Sequence, residues 1–380
     1  MKVATILGTR PEVIRLSRVI PALDRYFDHV LVHTGQNHEY ELNQLLFDDL
    51  GLRSPDHFLH ANGENAAATI GLIIAQSYSV LREIEPDAVL ILGDTNSALS
   101  AIAAKRLKIP VFHMEAGNRC FDERVPEEMN RRIVDHVSDM NLPYSSIARE
   151  YLLREGIAPD RIVKTGSPMH EVLTHYRARI DRSSVLDKLQ LHPGEYFVVS
   201  AHREENIEPD PQFAQFVELL NLLSTTFNIP IVVSVHPRTR NKIAEQQPVL
   251  PATVKLTSPL CFTDYVHLMI HARATLSDSG TISEEASILN LKAVNIREAC
   301  ERPEAMEEVA VMMTGLDSTR VLEALRIMAN TASTDRPSHR IVRDYNTGQV
   351  SEKVARIILS YTHVVNRNVW HKQVAASVQV

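Results

Sequence analysis

Short apolar runs recur along the chain and alternate with longer stretches whose apolar residues return at a helical period. In the first half the runs are KVATIL (2–7), HVLVHTG (29–35), AVLILG (88–93), VFHMEA (111–116) and IVKTG (162–166), which predict strands. Helical patterns fill the intervals, for example over 65–85 and 126–137. A second series opens after the polar stretch 181–194, with YFVVSAH (196–202), IVVSVH (231–236), TLSDS (275–279) and AVNI (293–296), each followed by a helix-like segment. A last helical stretch covers roughly 347–366. Strands alternating with helices predict parallel sheets. Two series of similar size predict an α/β protein with two Rossmann-like, doubly wound domains.

Ligands of doubly wound sheets bind outside the carboxyl ends of the strands. Gly8, His33 to Gly35, Gly93-Asp94, Glu115 to Gly117, His202, His236 and Ser279-Gly280 fall at such ends. Both series carry them, so a cleft faced by the two domains is the economical expectation. Glycine and aspartate end strands everywhere, however, and placement alone does not decide.

Length and composition narrow the field. A chain of 380 residues suits two or three domains that each bury a core. No apolar run approaches the roughly 20 residues of a membrane helix, and MKVATILGTRPEV reads as a first strand rather than a signal peptide. Cys120, Cys261 and Cys300 have neither the spacing of a disulfide framework nor that of a metal site, so the cytoplasm is the expected compartment. A net charge of −7, from 40 basic and 47 acidic residues, argues against a nucleic-acid partner. A local cluster of arginine and histidine can still hold a small anion.

Gly8-Thr9-Arg10-Pro11-Glu12 precedes a helical stretch bearing Arg15 and Arg18. A helix N-terminus with nearby arginines binds anions readily, although a capped helix with a solvated basic face fits the same residues. Neither a Gly-x-Gly-x-x-Gly fingerprint nor a phosphate loop ending in Gly-Lys occurs, which counts against NAD enzymes and P-loop ATPases. Carboxylates recur at strand ends: Asp94 in GDTNS, Glu115 in HMEAGNR, and Glu127-Glu128 in VPEEMNRR. Burial or a like-charged neighbour lifts such a group toward the range that acid–base work at carbon requires. Taken singly, Asp94 also reads as a turn former and Glu127 as a helix-start acid. No Gly-x-Ser-x-Gly elbow is present, which disfavours a hydrolase triad. In the second half, His202-Arg203-Glu204-Glu205-Asn206 and His236-Pro237-Arg238 follow strands. The turn in Asp278-Ser279-Gly280-Thr281 offers hydroxyl and N–H donors suited to a diphosphate. Glu285, one turn on, suits a ribose, and Arg302-Pro303-Glu304 adds a cation.

In order, GTRPE (8–12), HTGQ (33–36), GDT (93–95), EAG (115–117), PEEMNR (126–131), HREEN (202–206), DSGTISEE (278–285) and ERPE (301–304) span nearly the whole chain. This series resembles the non-hydrolysing UDP-N-acetylglucosamine 2-epimerase family. The resemblance implies a glycosyltransferase-B type fold, with an N-terminal domain over 1–170, a UDP-binding domain over 171–362, and a C-terminal helix at about 363–380 packing back on the first. It implies removal of the C2 proton with loss of UDP, a bound 2-acetamidoglycal, and re-addition of UDP as C2 is protonated from the other face. Asp94, Glu115, Glu127 and His202 are the implied catalytic residues. Arg10, Arg15, Arg131, His236, Tyr265, Ser279, Gly280, Glu285 and Arg302 are the implied substrate-binding residues, with Tyr265 at the uracil. The implied partner is a UDP-linked amino sugar bound by a homodimer; no metal, redox cofactor, nucleic acid or membrane is implied. The same fold serves glycosyltransferases, and a UDP-sugar sensor needs only the binding groups, but the three acids favour epimerisation.

One position departs from the pattern. The enzymes that interconvert N-acetylglucosamine and N-acetylmannosamine carry a lysine where this chain has Arg15. RPEVIRLSRVI and VFHMEAGNRCFDERVPEEMNRR look closer to the branch that makes UDP-N-acetyl-L-fucosamine from UDP-2-acetamido-2,6-dideoxy-L-talose, in capsule and O-antigen pathways.

Overall fold

The computed structural model describes residues 1–36, 40–331 and 339–372. They fall into two compact units, one of Met1–Val172 with Thr347–Val380, the other of Leu173–Asn346.

The first unit holds β1 (Lys2–Leu7), β2 (Asp28–His33), β3 (His57–Phe58), β4 (Ala88–Leu92), β5 (Val111–Met114) and β6 (Met140–Leu142), in the order β3-β2-β1-β4-β5-β6. Every pair is parallel. The second unit holds β7 (Phe197–Ser200), β8 (Ile231–Ser234), β9 (Val254–Thr257), β10 (Ala274–Ser277), β11 (Ala293–Asn295) and β12 (Met312–Met313), in the order β12-β11-β10-β7-β8-β9. Each sheet winds outward from its centre in both directions, the Rossmann order. The reversal lies between β1 and β4 in one and between β7 and β10 in the other, where such sheets bind ligands.

The central strands are continuous apolar runs because helices cover both faces. All five residues of β4, AVLIL, are buried, as are the first three of β7 and β8. Ile6, Ile91 and Val111 pack with Ile73 and Leu81 of the helix Ala66–Ile84. In the second unit, Val199, Val233 and Leu276 pack with Phe213, Phe216 and Leu220 of the helix Asp210–Phe227. Two helices start where the sequence marks them. Asn65 accepts from the Ala68 N–H ahead of Ala66–Ile84, and Pro126 opens Pro126–Val137 where its missing N–H costs nothing.

Four expectations change. The run IVKTG at 162–166 is not a strand: Ile162 makes a single bridge to Asn141, and the sheet ends on β6 instead. β6 escapes the pattern because buried Asn141 interrupts its apolar run, donating instead to the Asp135 carbonyl at 2.9 Å. The edge strands β3, β9 and β12 also escape it, being very short or half exposed. The last helix spans Val350–Asn368, as the helical stretch at 347–366 leads one to expect, rather than starting near 363, and the chain rejoins the first unit at Thr347 rather than after 362. The buried stripe of that helix, Val350, Val354, Ile357, Ile358 and Val365, is what sets its start, and it packs on the helix Val19–Tyr26. Residues 373–380 lie outside the described residues. Among the described residues no helix is long and apolar enough to cross a membrane.

Candidate active site

In the first unit three loops converge on Gly8, which ends β1. A Cβ at this position would stand 2.0 Å from the Thr34 hydroxyl oxygen and 2.2 Å from that of Ser97, so only glycine fits. Those two hydroxyls are hydrogen-bonded at 2.7 Å, linking the ends of β2 and β4. Glu12 ties the first and last of these loops together: its Oε2 accepts from the Gly8 N–H (3.0 Å) and the Thr9 hydroxyl (2.7 Å), and its Oε1 from the Thr95 hydroxyl (3.2 Å). Burial pushes this carboxyl up to about 7 against the pull of those donors. Sequence reading assigned Glu12 no role, because a glutamate in a first helical turn looks like an ordinary dipole partner.

The Glu12 proton has a measurable consequence. A folded-state value above the unfolded one means that the fold holds the proton more tightly, so stability falls as pH rises from about 4.5 to about 7 and then levels off. Glu12→Gln mimics the protonated form and is expected to remove this slope. Its advantage over the parent should grow across that window to on the order of 3 kcal/mol. Urea unfolding at pH 5 and pH 8 checks this; equal pH slopes for both proteins would show that Glu12 is ionised throughout.

Asp94 follows β4 and Glu115 follows β5, the neighbouring strand. Arg131 sets Asp94, with its Nε at 2.8 Å and Nη2 at 2.7 Å from the same Oδ2, while its Nη1 lies 2.7 Å from Glu128. Asn130 donates to the Asp94 carbonyl at 2.9 Å. Glu115 is buried and pairs with buried Arg15 at 3.2 Å, and Asn118 donates to its other oxygen at 3.4 Å. Its φ of +65° is left-handed, a conformation costing a residue with a Cβ roughly 1–2 kcal/mol. Strain of this kind clusters at functional sites.

The adjacent acids Glu127 and Glu128 have different surroundings. Glu128 is buried and accepts from the N–H groups of Cys120 (3.1 Å) and Phe121 (3.3 Å) as well as from Arg131. Burial pushes its carboxyl up, but the Cys120 donors and Arg131 outweigh burial and hold it below the usual range. Glu127 is half-buried at the start of the same helix, and Arg10 is half-buried at the start of Arg10–Leu16. Arg15 and Arg131, expected at the substrate, thus turn their guanidinium groups to Glu115 and Asp94. A buried cation needs a carboxylate close by, and each has one.

In the second unit His202 follows β7 and Asp278 follows β10, flanking the reversal of the sheet. His202 Nδ1 lies 2.9 Å from Asp278 Oδ1, and the other Asp278 oxygen accepts from the N–H groups of His202 (2.8 Å) and Arg203 (2.9 Å). Burial would raise Asp278, but the His202 ring and these N–H groups win and hold its carboxyl at about 2. The His202 side chain stays 30% exposed, and its ring centroid is 5.8 Å from that of His236. His236 itself caps the helix Pro237–Gln246, its Nδ1 accepting from the Arg238 N–H at 3.4 Å.

Ser279 and Gly280 form the turn before the helix Ile282–Leu289, with the Ser279 and Thr281 hydroxyls 3.0 Å apart. Gly280 differs from Gly8. Its φ is not left-handed, and a Cβ would make ordinary contacts, 3.5 Å from Glu301 and 3.7 Å from Arg203. Glu285 is buried in the first turn of that helix. Tyr265 lies in the helix Phe262–His271, with its hydroxyl bonded to the side chains of Ser200 and Ser277; burial, with Glu285 nearby, pushes the phenol well above its usual range.

Arg302, expected among the groups that hold UDP, is buried inside the unit with Nη2 3.6 Å from Glu284, near Glu304, which accepts from the Tyr345 hydroxyl at 2.7 Å. Arg302 stands at the start of the short helix Pro303–Glu307, whose Ala305 packs against Tyr345. Arg297, which sequence reading passed over, bridges Glu205 at 2.8 Å and Glu301 at 2.6 Å. Among the described residues no group of histidine, cysteine and acidic side chains is placed to hold a metal ion.

Residues 22–359 match the sequence family described as UDP-N-acetylglucosamine 2-epimerase. The chain belongs to that family. As a UDP-N-acetylglucosamine 2-epimerase family member it is an isomerase of the 2-epimerase class. The solved structure of a UDP-N-acetylglucosamine 2-epimerase from Rickettsia bellii is 48% identical, with TM-score 0.91 over 98% of this chain and 100% of that one. The Methanocaldococcus jannaschii UDP-GlcNAc 2-epimerase, solved in complex with UDP-GlcNAc and UDP, is 30% identical, with TM-score 0.88 over 95% of this chain and 100% of the other. The UDP-2,3-diacetamido-2,3-dideoxy-D-glucuronate 2-epimerase of Pseudomonas aeruginosa is 29% identical over 364 residues, 94% of this chain and 99% of its own. This family member accordingly has the two-unit, Rossmann-like architecture of the glycosyltransferase-B type.

Proposed function

We propose that this 2-epimerase inverts carbon 2 of a UDP-linked 2-acetamido sugar through a 2-acetamidoglycal, and that its substrate is UDP-2-acetamido-2,6-dideoxy-L-talose, yielding UDP-N-acetyl-L-fucosamine for capsule or O-antigen synthesis. The observation that carries the mechanism is the placement of Asp94 and Glu115 at the ends of adjacent strands, each aimed by its own buried arginine. Inversion at carbon needs a base on one face of C2 and an acid on the other. Two carboxylates in unlike surroundings, one 18% exposed and the other buried and strained, suit that division. Glu127, on the helix that also bears Arg131, is the third acid of the set.

In the forward step a carboxylate takes the C2 proton. The C–H electron pair forms the C1=C2 bond, and the C1–O bond breaks so that UDP leaves with its pair. On return a UDP oxygen attacks C1 while C2 takes a proton on the opposite face. The sum is redox-neutral and needs no electron carrier.

His202 and the Ser279-Gly280 turn hold the departing UDP in this reading, with Glu285 at the ribose and Tyr265 at the base. Gly280 supports it: neither its φ nor its packing demands glycine, so the missing side chain is free to serve close approach of a ligand to the backbone. The relative from Methanocaldococcus jannaschii, solved with UDP-GlcNAc and UDP, supports the ligand class.

Arg15 supports the choice of sugar. Its side chain is paired to Glu115, so a fork-shaped guanidinium in place of a lysine's point charge alters how that acid is aimed. The Pseudomonas aeruginosa relative, named for a diacetamido-glucuronate, shows the scaffold serving a different sugar. The test is incubation of the enzyme in deuterium oxide with the L-talose nucleotide and with UDP-N-acetylglucosamine. Deuterium at C2 is expected, with kcat/KM about 10²-fold higher for the L-sugar, the scale of an ångström of misplacement. Equal or better turnover of UDP-N-acetylglucosamine would overturn the L-sugar assignment, and absence of label from both would overturn C2 chemistry.

A further inference from the structure

We infer that His113 and Asp135 are a positioning pair that fixes the Glu115 loop and ties it to the Asp94 loop. The inference rests on the reading of Asp94 and Glu115 as the acid–base residues. A glutamate held left-handed must be fixed by its surroundings, since the chain would otherwise relax. Asp135 supplies that constraint. Its two oxygens each lie 3.2 Å from the Gly117 N–H, Oδ2 lies 2.7 Å from Arg119 Nη1, and Oδ1 lies 2.9 Å from His113 Nδ1. His113, Gly117 and Arg119 straddle Glu115 on both sides, so one carboxylate pins the loop before and after the strained residue. Arg119 is anchored in turn on Glu155 at 2.8 and 2.6 Å.

The second half of the link runs through the histidine ring. His113 Nε2 lies 2.8 Å from the carbonyl oxygen of Gly93, the residue before Asp94. One imidazole therefore spans from the carboxylate that pins the Glu115 loop to the backbone that carries Asp94. Both side chains are fully buried, so neither faces the sugar; they act through the acids they place. Asp135 also lies four residues after Arg131, on the same stripe of the helix Pro126–Val137. That stripe sets the Asp94 carboxylate with Arg131 and the Glu115 loop with Asp135, so the spacing of the two acids is built into a single helix face.

Asp135→Asn and His113→Phe test the pair, the first keeping volume and removing charge, the second keeping a ring and removing both nitrogens. Each is expected to lower kcat about 10- to 100-fold, the effect of a small misplacement of a reacting group. KM should stay within about twofold, and UDP affinity by calorimetry should be unchanged, because the UDP groups belong to the other unit. His113→Asn serves as a further arm should either variant fail to fold. Parental kcat in the folded variants would overturn the inference, as would a fall in kcat matched by an equal loss of UDP affinity, the mark of general damage. Deuterium incorporation at C2 by the parent enzyme is measured alongside, and its absence would overturn the epimerase reading beneath the inference rather than the pair itself.

Discussion

Asp94→Asn and Glu115→Gln are each expected to lose at least about 10²-fold in kcat, the scale of removing general acid or base catalysis. Both substitutions keep shape and an accepting oxygen while removing the group that exchanges the proton. Their effects on stability should differ. Asp94 is 18% exposed, and Arg131 retains Glu128 at 2.7 Å when the aspartate charge goes, so Asp94→Asn should melt close to the parent. Glu115 and Arg15 are both about 6% exposed, so Glu115→Gln leaves a buried guanidinium facing an amide. A cost of about 1–3 kcal/mol follows, the penalty for an under-satisfied buried group. Urea unfolding and steady-state kinetics on the same preparations separate the two effects. Parental turnover by either variant would remove that residue from the acid–base set.

The fold was legible where burial forces a pattern on the chain. Strands covered on both faces must be apolar throughout, and AVLIL and FVVS announce β4 and β7 for that reason. Edge strands carry no such requirement, and β3, β9 and β12 pass unseen. The residues beyond the true strand ends were readable as chemistry for the complementary reason, since Asp94 and Glu115 interrupt apolar runs with carboxylates.

Side-chain direction was not legible. Neighbours one residue apart on a helix do not face the same way, so of Glu127 and Glu128 only one can turn inward with Arg131; nothing in PEEMNR says which. The structure turns Glu128 inward. The same gap hides the partners of cations. RPEV and ERPE both display an arginine beside a proline, yet Arg10 stays half-buried at a helix start while Arg302 folds into the unit. Glu12 reaches across to the Thr95 hydroxyl and Asp278 accepts three hydrogen bonds from residues 202–206, contacts remote in sequence that exist only after the sheet has formed.

Arg302→Ala is expected to damage the fold more than the ligand site. The guanidinium is 2% exposed, lies 3.6 Å from Glu284 and opposes the effect of burial on Glu304, whose carboxyl burial pushes up. Without it Glu284 and Glu304 both lose this guanidinium, although Glu304 keeps the Tyr345 hydroxyl. Removing one partner of a buried ion pair costs about 3–5 kcal/mol, a large part of the roughly 5–15 kcal/mol that holds a domain folded. The sign of the pH effect follows from the same charges. Losing the cation raises the Glu304 carboxyl further, so the folded variant holds a proton there more tightly than its unfolded chain does. The stability deficit should therefore shrink as pH falls toward 5. Arg302→Lys restores charge without the fork and should recover only part of the loss. A direct bond from Arg302 to the UDP diphosphate makes a different forecast: parental unfolding for Arg302→Ala, with UDP affinity weaker by about 1.5–3 kcal/mol, the size of a charge-assisted hydrogen bond. Urea unfolding and calorimetry with UDP decide between them. The geometry favours the first, because the guanidinium is buried inside the unit beside Glu284.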